Sequence, residues 1–348
     1  MYKQFFGLSK SPFRLTPDPH FLFLTPAHRE ALSGLIYAIS GQGGLAVLSG
    51  DAGTGKTTLL RMLLDSMPRS LVEFSYLLMP TVSPADFLRL VLMDFGVADV
   101  PNDKPACIQK LQDFLVSRRA QGRIPVLVVD EAHKLDLHVL EELRLLTNFE
   151  DANGKLLQIL LAGQDELDVM LKREELRQFK QRIAHRFSVV PLSNHEVGQY
   201  IRHRWVRAGA TRADPFTEEA VLQVALYSRG IPRVINTLCD NSLLLAFGDG
   251  IARIGPEHVQ EVASDLDITL DRHASEIHGN RLALGSEARR APIDEPAATE
   301  PRPLTAQQSV APEERRPYGL SKAVASIVEA IFTRRGRTTR LRLNGDRS

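Results

Sequence analysis

The sequence predicts an α/β domain built on a parallel sheet with helices on both faces, followed by a small all-α domain and a largely disordered tail. Short apolar runs alternate with amphipathic stretches up to about residue 192, and no strand-like run follows Pro191. Strands separated by helices pair in parallel and are covered on both faces. Residues 271–318 hold six prolines and few large apolar side chains. Such a segment buries too little surface to offset its chain entropy, so we expect disorder there.

These changes in composition divide the chain into five segments. We expect an N-terminal arm and first helix at 1–40, an α/β core at 41–192, a helical lid at 193–268, a linker rich in Pro, Ala, Glu and Arg at 269–318, and an amphipathic basic segment at 319–348. The second of these segments is called the core and the third the lid.

The overall composition is that of an ordinary globular protein, with 43% hydrophobic residues, 24% charged residues and a formal net charge of +1. Only Cys107 and Cys239 occur, far apart, which excludes a disulfide scaffold and a metal site built from cysteines. No run approaches the length of a membrane-spanning helix, and the N-terminus lacks the apolar stretch of a signal peptide. We therefore expect a cytoplasmic protein.

Five strands are expected in the core. Leu45–Ser49 is apolar almost throughout, as in a strand buried on both faces of a sheet. The β-branched run at 125–129 has the same character. The other strands are expected at 70–79, at 156–162 and, as a shorter one, at 187–190.

Helices are expected between and after these strands. Asp136 is a plausible N-cap for a helix that runs to Phe149. Ser193 and Glu196 form a capping-box pattern, which indicates the first of four helices before Asp267. The remaining helices of the core are expected from Thr57, over 84–95 and over 106–119.

A phosphate-binding loop follows the first strand. Its sequence fits G-x-x-x-x-G-K-[ST] and lies between a strand and a helix, which is the required context. The glycines let consecutive backbone N–H groups face an anion at a helix N-terminus. Lys56 is predicted to bridge the β- and γ-phosphates of ATP, and Thr57 to ligate Mg²⁺. The predicted ATP-binding residues are Gly50, Asp51, Ala52, Gly53, Thr54, Gly55, Lys56, Thr57 and Thr58.

Two carboxylates follow the third strand. The apolar run 126–129 ends in Asp130 and Glu131, which are expected to emerge beside the phosphate loop, where open parallel sheets bind ligands. Asp130 is predicted to hold the Mg²⁺ shell. Glu131 is predicted to polarise the attacking water, because phosphoryl transfer depends mainly on a positioned nucleophile.

Residues 130–133 also read Asp-Glu-Ala-His, a sequence found in helicases. A helicase of that kind needs a second strand-rich domain, and no such stretch remains after Pro191. We therefore expect His133 to be a loop or surface residue.

The order of these motifs resembles the AAA+ ATPases. More narrowly, it resembles the ExeA/GspA-type general secretion pathway ATPases, with transposition regulators and clamp-loader or origin-recognition ATPases as more distant relatives. The resemblance covers residues 1 to about 268. The stretches that carry it are 11–19, 28–32, 141–146, 161–167, 176–187 and 230–240.

This resemblance implies further site residues. Gln164, after the fourth strand, would be the sensor that touches the γ-phosphate or the attacking water. Arg182 or Arg186 would be an arginine finger that reaches the nucleotide of a neighbouring subunit, and Arg186 is preferred. Arg233 would bring the lid onto the γ-phosphate. Each arginine offers a planar, permanently charged fork that suits phosphate oxygens.

Five of the fifteen phenylalanines lie in the first 23 residues. One interpretation is an apolar arm packed over the edge of the sheet. The other is an adenine pocket, since the resemblance implies that the base lies near residues that precede the first strand, and the two interpretations are compatible. The residues are Phe5, Phe6, Phe13, Phe21 and Phe23.

The C-terminal segment departs from the resemblance. The similar ATPases commonly continue into a transmembrane helix and a peptidoglycan-binding module, and neither is expected here. From residue 321 onward, seven Lys and Arg against two Asp and Glu give +5, which leaves −4 on the rest of the chain. An apolar stripe at helical spacing precedes the arginines. This pattern suits a helix on an anionic membrane, a peptide that docks on a protein, a nucleic-acid contact or a solvated tail.

Three functions remain open at this stage. The first is an ATP-hydrolysing assembly factor, active as a homo-oligomeric ring or arc, that works on secretion, pilus or exopolysaccharide-export machinery at or near the inner face of the membrane. The second is a DNA-binding AAA+ regulator of the transposition or replication type. The net charge of −4 before residue 321 makes DNA a less favoured partner. The third is an ATP-controlled scaffold with slow turnover. The residues that would meet DNA, or else form a solvated helix surface, are Arg202, His203, Arg204, Trp205 and Arg207.

Overall fold

The computed structural model describes residues 2–16, 18–78 and 82–270. Within these residues a five-stranded parallel sheet forms the centre, in the spatial order β2-β3-β6-β1-β7, and the predicted α/β fold is confirmed. A two-stranded antiparallel hairpin, β4 and β5, precedes β6 and was not predicted. The strands are β1 Leu45–Ser49, β2 Val72–Leu78, β3 Ile124–Asp130, β4 Glu150–Asp151, β5 Gly154–Lys155, β6 Gln158–Ala162 and β7 Ile183–Ser188.

Helices cover both faces of the sheet, because the strand side chains alternate between two apolar layers. Leu45 and Val47 of β1 pack in one layer with helices α4, α5 and α6, whereas Ala46 and Leu48 pack in the other with α2 and α3. The helices are α1 Tyr2–Phe5, α2 Pro26–Ser40, α3 Lys56–Ser66, α4 Pro84–Asp94, α5 Lys104–Ala120, α6 Leu137–Leu146, α7 Asp165–Met170, α8 Arg177–Lys180, α9 Asn194–Arg207, α10 Glu218–Ser228, α11 Pro232–Gly248 and α12 Pro256–Asp265.

The position of a strand in the sheet explains how accurately its bounds were predicted from the sequence. The three central strands β1, β3 and β6 are buried at every position, so they appear as continuous apolar runs. The last strand was predicted at 187–190, and this is wrong: β7 begins at Ile183 and ends at Ser188. As an edge strand, β7 alternates half-buried and exposed residues, and that pattern lacks an apolar run.

The lid consists of helices α9 to α12, in agreement with the predicted four helices. The capping box at its start is confirmed: the Ser193 N–H donates to Glu196 Oε2 at 2.9 Å, and the Glu196 N–H donates to Ser193 Oγ at 3.3 Å. Trp205 lies at the centre of the lid with 2% exposure, and its Nε1–H donates to the Arg212 carbonyl at 2.9 Å.

The aromatic rings of the N-terminal arm, residues 2–24, pack on the lid rather than over the sheet edge, so the predicted position is wrong. Phe6 lies edge-on to Trp205 with ring centroids 6.1 Å apart, and Phe13 lies edge-on to Phe216 at the same distance. The β7 side of the sheet is already covered by α2, which leaves the apolar surface of the lid as the partner for the arm.

A buried arginine joins the arm to the lid. The Arg204 Nε–H donates to the Pro12 carbonyl at 2.6 Å, and Nη1 donates to Tyr200 Oη at 2.9 Å. The guanidinium also lies over the ring of Phe21, 4.9 Å from its centroid. Arg204 and Trp205 are therefore not surface residues of α9, contrary to both interpretations of that helix, whereas Arg202 and Arg207 are exposed.

The described residues contain no helix that is long and apolar enough to cross a bilayer. The predicted linker from residue 271 onward and the basic segment at 319–348 lie outside the described residues.

The turn between α10 and α11 provides a stability prediction. Gly230 has φ +74°, and a Cβ there would lie 1.9 Å from the Leu192 carbonyl oxygen. We expect Gly230→Ala to destabilise the lid by about 2 kcal/mol or more, because it adds a steric clash to a left-handed backbone. Urea unfolding followed by the fluorescence of Trp205, the single tryptophan, measures this change.

Gly248→Ala is the matched control, since the added Cβ at the end of α11 meets no atom within 4 Å outside its own helix backbone. We expect its stability to stay within about 1 kcal/mol of the wild type. Equal unfolding midpoints for the two variants would show that the contact between Gly230 and Leu192 does not hold the lid in place.

Candidate functional site

The phosphate loop ends at the first residue of α3. Lys56 begins this helix, and its ammonium is buried within the loop, where Nζ donates to the Gly50 carbonyl at 2.6 Å and to the Asp51 carbonyl at 2.8 Å. Burial lowers the pKa of Lys56, and the nearby carboxylates of Glu131 and Asp130 partly oppose this shift. The loop therefore holds a desolvated cation at a helix N-terminus, an arrangement that attracts phosphate.

Asp130 accepts three hydrogen bonds at the C-terminal end of β3, where it is 1% exposed. Its Oδ2 accepts from Thr57 Oγ1 at 3.0 Å and from Tyr76 Oη at 2.7 Å, and its Oδ1 accepts from the Glu131 N–H at 2.9 Å. Burial, followed by the bond to Asp130, raises the pKa of Tyr76 above its usual range, so this hydroxyl stays a donor. The carboxylate is thus fixed in orientation by neighbours on three elements.

The side-chain oxygens of Thr57 and Asp130 are suitable ligands for Mg²⁺. This ion takes oxygen ligands, and proteins usually bind it through one or two side chains together with water and substrate phosphates. Within the described residues, no cluster of three or more His, Cys, Asp or Glu side chains is arranged to hold a metal by itself. A metal that binds together with a phosphate substrate suits this pair of oxygen donors.

Glu131 has an unusual backbone conformation. It lies directly after β3 with φ +56° and ψ +33°, in the left-handed region that non-glycine residues rarely adopt. Its Oε2 lies 3.3 Å from Lys134 Nζ and 3.7 Å from His133 Nε2. Strained backbone of this kind is maintained by its surroundings and is frequent at functional sites.

His133 lies in the short turn between β3 and α6, in agreement with the predicted loop position, but its side chain is not at the surface. Its side chain is 11% exposed, and its Nδ1 lies 3.3 Å from the Gln164 backbone nitrogen. The short turn of 3-10 helix at Ala132–Lys134 directs the ring towards the end of β6 instead of solvent.

Gln164 and Arg233 both lie beside the phosphate loop, Gln164 at the end of β6 and Arg233 on the lid. Gln164 is the N-cap of α7, immediately after β6. Arg233 lies in the first turn of α11, and its backbone N–H contacts the Gly53 carbonyl at 3.4 Å. Asp165, which the sequence analysis missed, lies beside Gln164, and burial together with the charge of Asp51 raises the pKa of its carboxyl.

A cavity of about 530 Å³ connects these residues. The phosphate loop, Glu131 and Gln164 form one wall. The arm and the lid form the other, with Phe21, Tyr200 and Arg233 among the lining residues. The predicted binding residues Ala52 to Thr58 also line this cavity, as does Phe23 of the arm.

His28, on α2, contacts the phosphate loop, and no role for this residue was predicted. Its Nε2 lies 3.4 Å from the Thr54 carbonyl, and its Nδ1 lies 2.6 Å from Thr25 Oγ1. Burial lowers the pKa of His28, which favours a neutral ring that donates through Nε2 to the loop.

The two candidate finger arginines lie away from this cavity. Arg182 is exposed just before β7, and Arg186 lies on that edge strand. Arg186 Nη1 is 3.0 Å from Asp168 Oδ1 on α7, and about two fifths of its side chain is exposed. Neither arginine is among the described residues that line the cavity of its own subunit.

Residues 39–171 match the AAA domain family. Over 258 residues the chain is 42% identical to General secretion pathway protein A of Aeromonas hydrophila, an alignment that covers 73% of this chain and 46% of that protein. A weaker match, 27% identical over 168 residues, is to an uncharacterized HTH-type transcriptional regulator of Methanocaldococcus jannaschii, with 47% and 40% covered. The chain thus spans less than half the length of these curated relatives.

Solved structures with a similar fold include the ORC2 protein of Aeropyrum pernix in its ADPNP–ADP complexes. It has a TM-score of 0.55 at 16% identity, and the match covers 74% of this chain and 71% of that one. Cdc6p of Pyrobaculum aerophilum has a TM-score of 0.54 at 17% identity, with 72% and 71% covered. At such identities the similarity concerns the fold.

Proposed function

We propose that this chain, an AAA+ protein similar to General secretion pathway protein A, binds ATP and hydrolyses it with Mg²⁺. The main support is that Lys56, Thr57 and Glu131 line one cavity, with Asp130 directly behind Thr57 and hydrogen-bonded to it. The unit that carries this activity is proposed to comprise the first 40 residues, the core and the lid.

Hydrolysis follows from the chemistry of these side chains. Water attacks the γ-phosphorus, the bond from that phosphorus to the bridging oxygen breaks, and ADP leaves with the bond electrons. Glu131 orients the water and takes up its proton, while Lys56 neutralises charge on the β- and γ-oxygens. Thr57 and Asp130 would hold Mg²⁺, which would supply further positive charge to the phosphates.

The remaining residues of the cavity orient the nucleotide. Gln164 contacts the γ-phosphate or the water from the end of β6, and Arg233 brings the lid onto the γ-phosphate. The aromatic rings of Phe21 and Phe23 provide an apolar surface for the base on the arm side of the cavity. Because Arg233 and these rings belong to the lid and its arm, the bound nucleotide joins lid and core.

The finger is proposed to act between subunits. Arg186, with Arg182 as the alternative, lies on the exposed edge strand and away from its own cavity. An arginine in that place reaches a nucleotide only in a neighbouring copy of the chain. The active form is therefore proposed to be a homo-oligomeric ring or arc.

The client of this ATPase is proposed to belong to secretion or export machinery, on the strength of the similarity to General secretion pathway protein A. A DNA-binding regulator has less support, because Arg204 and Trp205 are buried and cannot meet a duplex. Contact of the segment at 319–348 with an anionic membrane stays a prediction outside the described residues.

Glu131→Gln tests the catalytic assignment. We expect this variant to bind ATP with wild-type affinity and to cleave it about 10²- to 10⁴-fold more slowly, because an amide does not take up the proton of the attacking water. Binding of a fluorescent ATP analogue and phosphate release in a single turnover separate the two steps.

Glu261→Gln is the matched control, since Glu261 is exposed on α12 outside the cavity, and its rate should equal that of the wild type. Wild-type cleavage by Glu131→Gln would remove Glu131 from the mechanism.

A further inference from the structure

We infer that His133 is a positioning residue that connects the Glu131 carboxylate to the backbone of Gln164, so that the two residues move as one unit. This inference rests on the proposed ATP hydrolysis and adds to it a link between the group that contacts the γ-phosphate and the group that orients the water. The link consists of a single imidazole ring between β3 and β6.

The contacts of the ring define its tautomer. A backbone N–H is always a donor, so the Gln164 N–H donates to His133 Nδ1 at 3.3 Å, and that nitrogen carries no proton. In the neutral ring the proton then lies on Nε2, which is 3.7 Å from Glu131 Oε2. The nitrogen that carries the proton is therefore the one that lies next to the Glu131 carboxylate, at ion-pair distance.

Burial makes this orientation specific. The His133 side chain is 11% exposed and that of Glu131 is 25% exposed, so water competes weakly for the ring. The turn that carries the ring also lies close to the end of β6, since a Cβ at Gly163 would be 3.1 Å from the His133 backbone nitrogen. The strand ends are thus too close to move independently.

The contact between His133 and Glu131 helps to hold Glu131 in its unfavourable left-handed backbone conformation. A residue in the left-handed region costs about 1 to 3 kcal/mol and persists only when its surroundings hold it. Lys134 Nζ, 3.3 Å from the same Oε2, supplies charge but belongs to the same turn. His133 joins this turn to the next strand of the sheet, because its Nδ1 accepts a hydrogen bond from the Gln164 N–H.

This link makes the orientation of the attacking water depend on the presence of the γ-phosphate. A γ-phosphate that draws Gln164 towards the cavity also shifts the His133 ring, and the ring shifts the Glu131 carboxylate. Water orientation is then completed only when the γ-phosphate is present. Displacement of a catalytic group by about 1 Å costs about 10²-fold in rate, so a small shift suffices.

Kinetics of two substitutions test this link. We expect His133→Phe, which fills the space without hydrogen bonds, to lower kcat about 10- to 100-fold while the KM for ATP changes less than about twofold. His133→Gln keeps an acceptor and a donor, and should restore most of kcat. His138→Phe, at an exposed histidine on α6, is the control and should match the wild type. Wild-type kcat in His133→Phe, or equal losses in both His133 variants, would overturn the inference.

A spectroscopic readout keeps the test independent of turnover. In protein labelled at histidine nitrogens, we expect the His133 ring as the Nε2–H tautomer, and we expect Glu131→Gln but not Glu261→Gln to shift its Nε2 resonance. An Nδ1–H tautomer, or no shift in Glu131→Gln, would overturn the link. Should the wild-type protein not hydrolyse ATP, the proposed function fails, and this spectrum still decides the inference.

Discussion

Lys56→Ala is expected to abolish ATP binding at concentrations where the wild-type protein is saturated. The Lys56 ammonium lies inside the phosphate loop, where it is proposed to neutralise the β- and γ-phosphates. Loss of about two charge-assisted hydrogen bonds, each worth about 1.5 to 3 kcal/mol, weakens binding by about 10² to 10⁴-fold. Titration calorimetry with ATP measures the change directly.

The same substitution should leave the fold intact. Burial already lowers the pKa of Lys56, which means that the folded protein carries a desolvation cost for this charge. Its removal relieves that cost, so the urea midpoint should be unchanged or slightly higher. Lys172→Ala, at an exposed lysine after α7, is the control and should bind ATP normally. Binding by Lys56→Ala within tenfold of the wild type would contradict the phosphate-loop assignment.

Arg186→Ala is expected to lower ATP hydrolysis about 10³-fold or more, which is the effect of losing an arginine finger. ATP binding should persist, because Arg186 does not line the cavity of its own subunit. In the wild type, the rate per subunit should rise with protein concentration as shared sites are completed. Steady-state assays over a concentration series measure both effects.

Mixing two inactive variants provides the decisive form of this experiment. Arg186→Ala keeps an intact Glu131, and Glu131→Gln keeps an intact finger. In a head-to-tail interface with random pairing of an equimolar mixture, about a quarter of the sites combine both intact parts and regain activity. No recovery would show that the finger does not act in trans, and recovery with Arg182→Ala instead would move the role to Arg182.

The residues that sequence alone revealed are those within one contiguous motif. The phosphate loop and the Asp130–Glu131 pair follow strands that are buried at every position, so the motif and its context are both visible in the chain. The central strands of the sheet were found for the same reason.

The residues that sequence missed meet only through tertiary structure. Tyr76 reaches Asp130 because β2 pairs with β3, and 54 residues separate the two side chains. His133 reaches Gln164 because β6 lies next to β3, a neighbour relation that no local pattern reveals. The arm was misplaced for a similar cause, since its apolar rings indicate burial but not the surface against which they pack.

The attachment of the arm to the lid limits how the lid moves. The polypeptide crosses between the lid body and the core twice. The first crossing is near residues 22–25, since the arm up to Phe21 packs with α9 and the chain from Pro26 packs on the sheet. The second is near residues 189–193, where the core ends and the lid begins. A body anchored at two separated points keeps one degree of freedom, rotation about the line through both. We therefore expect nucleotide binding to rotate the lid about this axis rather than to translate it.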